Sequence, residues 1–331
     1  MARRGPKKKE KSCEPLEPGS LKAYAFDFAQ WMEATHFSPH TVRKRGNALS
    51  FFIRFCDERG LTRPVEIQRA ILERYRRQIY QVRDKNNRPL GLPTQTQRLL
   101  AVRSFFKWMT RHHHILYNPA HELELPKAEK RLPDPILSIQ EIEQVINQTN
   151  IEDPLGLRDR AILETLYSTG IRRTELINLT LHDLALEKGT VLIRQGKGRK
   201  DRMVPIGNRA LAWIDKYLIE VRPTLVREPD AGTLFLTLDG APLSGNRLTG
   251  LVGAYLECVR GTRYGSCHLF RHACATHMLE GGADIRYIQQ LLGHASLETT
   301  AIYTEVSLKQ LQEVHARCHP GKLEARPAEA A

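Results

Sequence analysis

The residues best suited to chemistry in this 331-residue chain fall in four short stretches of its second half. In Thr169-Gly-Ile-Arg-Arg-Thr-Glu-Leu176, Gly170 breaks one helix, Arg172 opens the next, and Glu175 follows at a spacing that braces a neighbouring arginine. Lys197 stands between Gly196 and Gly198 at a hairpin tip, where glycines permit a tight turn and close approach to a partner. In His268-Leu-Phe-Arg-His272, His268 and Arg271 lie one turn apart on one helix face. An imidazole beside a guanidinium is a poor core and a good seat for an anion. In Leu291-Leu-Gly-His-Ala-Ser-Leu-Glu-Thr-Thr-Ala-Ile-Tyr303, a helix ends at Gly293, His294 lies just past it, and Ser296 caps a turn leading to Tyr303. Each stretch alone has an ordinary reading. Arg-x-x-Glu is a common surface pair, a hairpin lysine is usually solvated, and Tyr303 is one of ten tyrosines, any of which can be a core ring. Together they gather cationic donors and a phenol, a set for chemistry on an anion.

A metal centre is a weaker reading of the same region. Cys267, His268, His272, Cys274 and His277 are close in sequence, but their spacing fits none of the usual two-plus-two zinc patterns. A cation beside Arg271 would also be repelled. His112, His113 and His114 point in three directions on a helix, so they read as a solvated helix end.

The elements that must position these residues are mostly helical. Residues 1–19 form a basic, pattern-free arm, either a solubilising tail or a strand of charge that neutralises phosphates. Residues 20–125 read as a small all-α domain. Tyr24, Phe28 and Trp31 share a first helix, and Ser38-Pro39 starts a second that stops at Gly60. Ile71 and Tyr80 bound a third, and Thr94 opens a fourth with Leu99, Val102, Phe106 and Met109 on its apolar face. Residues 126–136 read as a linker. Ser138-Ile-Gln-Glu141 is a capping box opening the second domain, 137–320, with a tail at 321–331. Alternation over 190–194 and 201–206 around Gly196-Lys-Gly-Arg-Lys200 predicts a β-hairpin, and helices are expected for the rest. The fold class is therefore mainly α with a small antiparallel β-sheet.

Composition sets the partner class. Hydrophobic residues make up 41% and charged residues 26%, enough for ordinary cores, and the length suits two domains better than one. A net charge of +13 and a pI near 9.6 favour a polyanion, a balance that ribosomal, heparin-binding and membrane-surface proteins share. No apolar run reaches membrane-spanning length, and the N-terminus lacks the apolar core of a signal peptide, so a soluble cytoplasmic protein is expected. The six cysteines, Cys13, Cys56, Cys258, Cys267, Cys274 and Cys318, are scattered and read as free thiols.

In order and separation, the four stretches resemble the conserved boxes of the tyrosine recombinase (phage integrase) family, and the layout is similar to its Xer-type members. The family's first arginine falls on Arg172, its hairpin lysine on Lys197, its H-x-x-R on His268 and Arg271, and its last histidine and nucleophile on His294 and Tyr303. The helical domain, with N-P-A at 118–120, resembles the family's core-binding domain. The resemblance spans roughly 21–318. It implies an N-terminal all-α core-binding (SAM-like) domain and a C-terminal α+β catalytic domain.

The implied reaction is breakage and rejoining of DNA through a 3′ phosphotyrosine on Tyr303, with a 5′ hydroxyl leaving. Charge gathers on the non-bridging oxygens, and two permanently charged guanidiniums, Arg172 and Arg271, suit that task, with His294 adding a donor. His268 would accept a proton or orient the phosphate, and Lys197 would protonate the leaving oxygen. These side chains supply the charge stabilisation that Mg²⁺ gives elsewhere, so neither metal, other cofactor nor ATP is expected. The expected partner is double-stranded DNA with inverted-repeat half-sites, held between two domains that close around it. Arg98, Arg103, Lys107, Lys200 and Arg202 are the candidate DNA contacts. The resemblance further implies a homotetramer on two DNA sites, or a heterotetramer with a related recombinase, exchanging strands through a Holliday junction. The segment 307–318, apolar at Leu308, Leu311 and Val314, is expected to dock on a neighbouring protomer rather than on its own domain. Two rival readings remain: a type IB topoisomerase that relaxes supercoils as a monomer, and a DNA-binding regulator without catalysis. Dimer resolution and mobile-element integration or excision are not distinguished by these residues.

Overall fold

A computed structural model describes residues 16–84, 86–127, 136–194, 201–261, 266–293 and 308–321, with only the backbone at 308–311. The basic arm up to residue 15, most of the linker, the hairpin tip and the tail from 322 lie outside the described residues. The chain divides into two units, Met1–Leu132 and Pro133–Ala331.

In the first unit, serines set two helix starts. Ser20 caps α1 (Leu21–Ala34), and Ser38 caps α2 (Pro39–Asp57) with Pro39 in its first turn. Two further helices, α3 (Arg69–Gln81) and α4 (Leu92–Arg111), complete the set. The last begins earlier than Thr94. Pro93 fits the first turn, where no N–H is needed, and Gly91 takes the cap position. Leu99, Val102, Phe106 and Met109 are all buried, as their spacing requires. The core is largely aromatic, with the Phe52 ring meeting Tyr75 and Phe106 edge-on at 5.0 and 5.9 Å.

The second unit opens on α5 (Ile139–Asn147). The capping box is complete: Ser138 Oγ accepts from the Glu141 N–H, and Glu141 Oε2 accepts from the Ser138 N–H. Next comes α6 (Pro154–Thr169), buried on nearly every side from Gly156 onward and therefore the central helix of this unit. It stops at Gly170, whose φ of 58° lies in the left-handed region, and α7 (Arg173–Ile177) follows at once. Three antiparallel strands stand in the order β1 (Leu184–Ala185), β2 (Thr190–Ile193), β3 (Arg202–Pro205), with Ile193 opposite Arg202 at the tip end of the hairpin. Strand β1 was beyond the reach of alternation, being only two residues long.

After the sheet come α8 (Asn208–Lys216), a π-helical turn (Tyr217–Val221) and α9 (Arg222–Leu225). Residues 226–244 then run without a helix, a stretch that the expectation of helical segments after the hairpin did not single out. Pro229, Gly232, Gly240 and Pro242 break the pattern there. Four helices complete the described chain: α10 (Gly245–Arg260), α11 (Cys267–Glu280), α12 (Ile285–Leu292) and α13 (Leu308–Cys318). None of the described helices is long and apolar enough to cross a membrane.

Docking of α13 on a neighbour is the sequence expectation; in this structure of a single chain the helix packs on its own unit. Val314, His315, Cys318 and His319 are buried. The reason is hydrogen bonding. The last carbonyls of α6 lack intrahelical partners, and His315 Nε2 donates to Ser168 O at 2.7 Å while His319 Nε2 donates to Tyr167 O at 2.8 Å.

Candidate active site

Three arginines from three elements meet at the C-terminal end of α12. Arg202 Nε donates to Leu291 O at 3.3 Å, Arg271 Nη2 to Leu292 O at 2.7 Å, and Arg172 Nη2 to Gly293 O at 3.0 Å. A helix C-terminus carries unpaired carbonyls and partial negative charge, so cations gather there. Gly293 makes the approach possible. Its φ is 62°, and a Cβ there would stand 3.0 Å from the Arg202 guanidinium carbon.

Arg271 is also tied to the first stretch. Its Nη1 donates to Gly170 O at 2.6 Å, so one guanidinium joins the ends of α6 and α12. It is buried, and burial, followed by the charge of Arg172, pushes it down to about 10, still protonated at neutral pH. Among the described residues each terminal nitrogen of Arg271 has one such bond. A guanidinium has five N–H donors, so others remain for an anion.

Arg172 occupies the cap position of α7. Its backbone N–H donates to Glu175 Oε2 and its Nη1 to Glu175 Oε1, both at 2.8 Å. The expected bracing by Glu175 is present, and it is doubled. Arg202 Nη1 and Nη2 donate to the same two carboxylate oxygens at 3.0 and 2.8 Å. Burial pushes the Glu175 carboxyl up, but the hydrogen bonds from Arg202 and from the Arg172 backbone outweigh it and hold it at about 2.

His268 and Arg271 both stand on α11, with His268 exposed and Arg271 buried. Partial desolvation, then the charge of Arg271, lowers the imidazole below its ordinary range and favours the neutral ring. Cys267, Cys274 and His277 point into the core instead. His277 Nδ1 is hydrogen-bonded to the Tyr167 hydroxyl at 2.9 Å, and burial pushes the Cys267 and Cys274 thiols up to about 11 and about 12. Among the described residues no group of three metal-ligating side chains forms.

The structure thus brings Arg172, Glu175, His268 and Arg271 together. Lys197, Lys200, His294 and Tyr303 lie outside the described residues. In the first unit, Arg98 is half-buried with its guanidinium 3.8 Å from the Phe51 ring centroid, Arg103 is half-buried and Lys107 is exposed. Arg202, expected among the DNA contacts, is turned inward onto Glu175 with 14% of its side chain exposed. Sequence reasoning missed this role, although a signal existed. Arg202 and Val204 share a face of β3, and Val204 is buried, so an arginine two residues earlier must find an acid inside.

Comparisons with known proteins bear on the family and the fold. Residues 136–310 match the phage integrase family. The chain is 46% identical over 321 residues to tyrosine recombinase XerC 2 of Ralstonia nicotianae, covering 97% of this chain and 91% of that protein. Its fold is similar to a XerH site-specific recombinase bound to palindromic difH substrate in a post-cleavage complex (TM-score 0.62, 23% identity, 83% of this chain and 79% of that one). It is also similar to a lambda integrase tetramer bound to a Holliday junction (TM-score 0.60, 16% identity, 90% and 78% covered).

Proposed function

The chain belongs to the phage integrase family and is a site-specific tyrosine recombinase, and from that premise we propose that Tyr303 is its nucleophile and that Arg172 and Arg271 clamp the scissile phosphate. The observation that supports the clamp most strongly is the fixing of both guanidiniums by adjacent carbonyls, Gly293 O and Leu292 O, at one helix end. Guanidiniums held before the phosphate arrives need little reorganisation during reaction, which is how fixed donors lower a barrier.

In the proposed step the Tyr303 oxygen bonds to phosphorus and the bond from phosphorus to the 5′ oxygen breaks. The phenol, with an ordinary pKa near 10, gives up its proton as it attacks. His268, kept neutral beside Arg271, takes that proton or orients the phosphate. Lys197 delivers a proton to the leaving 5′ oxygen, and His294 adds a hydrogen bond to a non-bridging oxygen. The phosphotyrosine conserves the bond energy, so a 5′ hydroxyl from the same or another duplex rejoins the strand without ATP.

Residues 20–125 are proposed as the core-binding domain and 137–320 as the catalytic domain. Arg98, Arg103, Lys107 and Lys200 are the proposed phosphate contacts on double-stranded DNA carrying inverted half-sites, a reading that the net charge of +13 supports. The tetramer of lambda integrase on a Holliday junction supports four protomers on two DNA sites here, as a homotetramer or with a related recombinase. A cytoplasmic location follows from a DNA substrate.

A nicked suicide substrate, from which the short 5′ fragment diffuses away after cleavage, tests the reading. Wild-type protein is expected to become covalently trapped on the DNA and to recombine two sites on one plasmid. Absence of trapping would favour a silent DNA-binding regulator, and supercoil relaxation without recombination would favour a topoisomerase.

A further inference from the structure

The inward turn of Arg202 carries an inference that rests on the proposed recombinase reading and deepens it. We infer that Arg202 is a positioning residue that fixes both the Arg172 guanidinium and the C-terminal end of α12, and that it is not a DNA contact.

Four observations converge on this side chain. Its two terminal nitrogens take both oxygens of Glu175, the same carboxylate that fixes Arg172 through its backbone N–H and Nη1. Its Nε reaches Leu291 O at the end of α12. Gly293 lies against its guanidinium, where any larger residue would press on it. It also stands at the tip end of β3, opposite Ile193, five positions after Lys197 in sequence.

The arrangement has a physical logic. A bidentate arginine–carboxylate pair fixes direction as well as distance. Arg202 therefore holds Glu175 in one orientation, and Glu175 in turn holds Arg172. The same guanidinium holds Leu291, two residues before Gly293, whose carbonyl Arg172 also takes. Removing Arg202 takes two of the four hydrogen bonds from Glu175, so its hold on Arg172 slackens, and it loosens the end of α12. With each of its three nitrogens bonded inward and 14% of the side chain exposed, Arg202 is poorly placed to reach a phosphate.

The test compares full-length wild type, Arg202→Lys and Arg202→Met. Single-turnover cleavage of a nicked suicide substrate is measured beside site binding over a range of salt. A lysine has one nitrogen and cannot reproduce the fork, so both variants are expected to cleave about 10²-fold more slowly, the size of loss that misplaced catalytic groups produce. Binding affinity and its salt slope should stay at wild-type values, whereas loss of a phosphate contact would shallow the slope by about 1. In a Glu175→Gln background the further effect of Arg202→Met should shrink several-fold, since the two act through one pair. Wild-type cleavage rates in both variants, a shallower salt slope, or full additivity with Glu175→Gln would each overturn the inference. Failure of the wild type itself to become trapped would overturn the recombinase reading instead. If Arg202→Met does not fold, Arg202→Lys alone decides, because it keeps the charge and loses only the fork.

Discussion

The carbonyl of Gly170 accepts a 2.6 Å hydrogen bond from Arg271 Nη1 across 101 residues of sequence. That bond ties the first of the four candidate stretches to the third, and it depends on a backbone shape few residues adopt. Gly170 has a φ of 58°, and a Cβ there would lie 2.9 Å from Leu292 Cδ2. Gly170→Ala is therefore expected to destabilise by about 1–3 kcal/mol and to lower cleavage with it. Gly250→Ala is the matched control. It lies inside α10 with nothing within 4 Å of a new Cβ, so stability should rise by roughly 0.5–1 kcal/mol. Urea melts of both variants check the pair, and equal shifts would contradict the argument.

Arg271→Lys should separate binding from chemistry. Lysine retains the charge but cannot join Gly170 O, Leu292 O and a phosphate in one plane. Cleavage is expected to fall on the order of 10²–10³-fold, while binding to the recombination site changes little. Single-turnover rates beside gel-shift titrations test this. A binding defect as large as the rate defect would remove Arg271 from the clamp.

Glu175 makes a prediction about acid stability. Its folded value of about 2 lies below its ordinary 4.5. The unfolded chain therefore takes up the proton first, and the stabilisation is complete above 4.5 and disappears as pH falls through about 2. Glu175→Gln leaves two guanidiniums without their carboxylate and should cost about 3–5 kcal/mol at neutral pH, the usual loss when one partner of a buried pair is removed. Denaturant melts from pH 6 to 3 should show the gap between wild type and variant narrowing. A gap constant with pH would show that charge is not what Glu175 contributes.

The hold on α13 should respond to pH in the opposite chemical sense but the same direction. His315 and His319 stack at 4.8 Å, and each donates Nε2–H to a carbonyl at the end of α6. His319 Nδ1 accepts from the Gly321 N–H, a bond that a protonated ring cannot make. Burial lowers both rings, and the charges facing His319 are His315, Arg209 and His277. A lowered histidine stabilises fully above its ordinary value of 6.5, and that contribution is lost as pH falls below it. Amide exchange in α13 should therefore accelerate between pH 7.5 and 5.5, after correction for intrinsic rates. In the double variant His315→Gln and His319→Gln, which keeps an amide donor and does not titrate, the corrected rates should be flat with pH.

Much of this fold and site was readable from residues alone, for identifiable reasons. Helix starts were legible where a side chain does local work, as at Ser38 and Ser138, whose oxygens cap within three residues. The pairing of Arg172 with Glu175 was legible because both lie within one helical turn. What escaped is non-local. Arg202 reads as a surface cation until its acid, 27 residues away, is seen to be buried. The apolar spacing of Leu308, Leu311 and Val314 says nothing of His315 and His319. Their burial follows only from the carbonyls of Tyr167 and Ser168, which need donors, about 150 residues earlier in the chain.

Everything proposed for this site turns on the Tyr303 oxygen becoming covalently bound to DNA. Wild-type protein trapped on a nicked suicide substrate can be digested with protease and nuclease, and the nucleotide-bearing peptide sequenced by mass spectrometry. One adduct is expected, on Tyr303, and none from a Tyr303→Phe protein that still binds the site. An adduct on any other residue, or undiminished strand exchange by Tyr303→Phe, would contradict it.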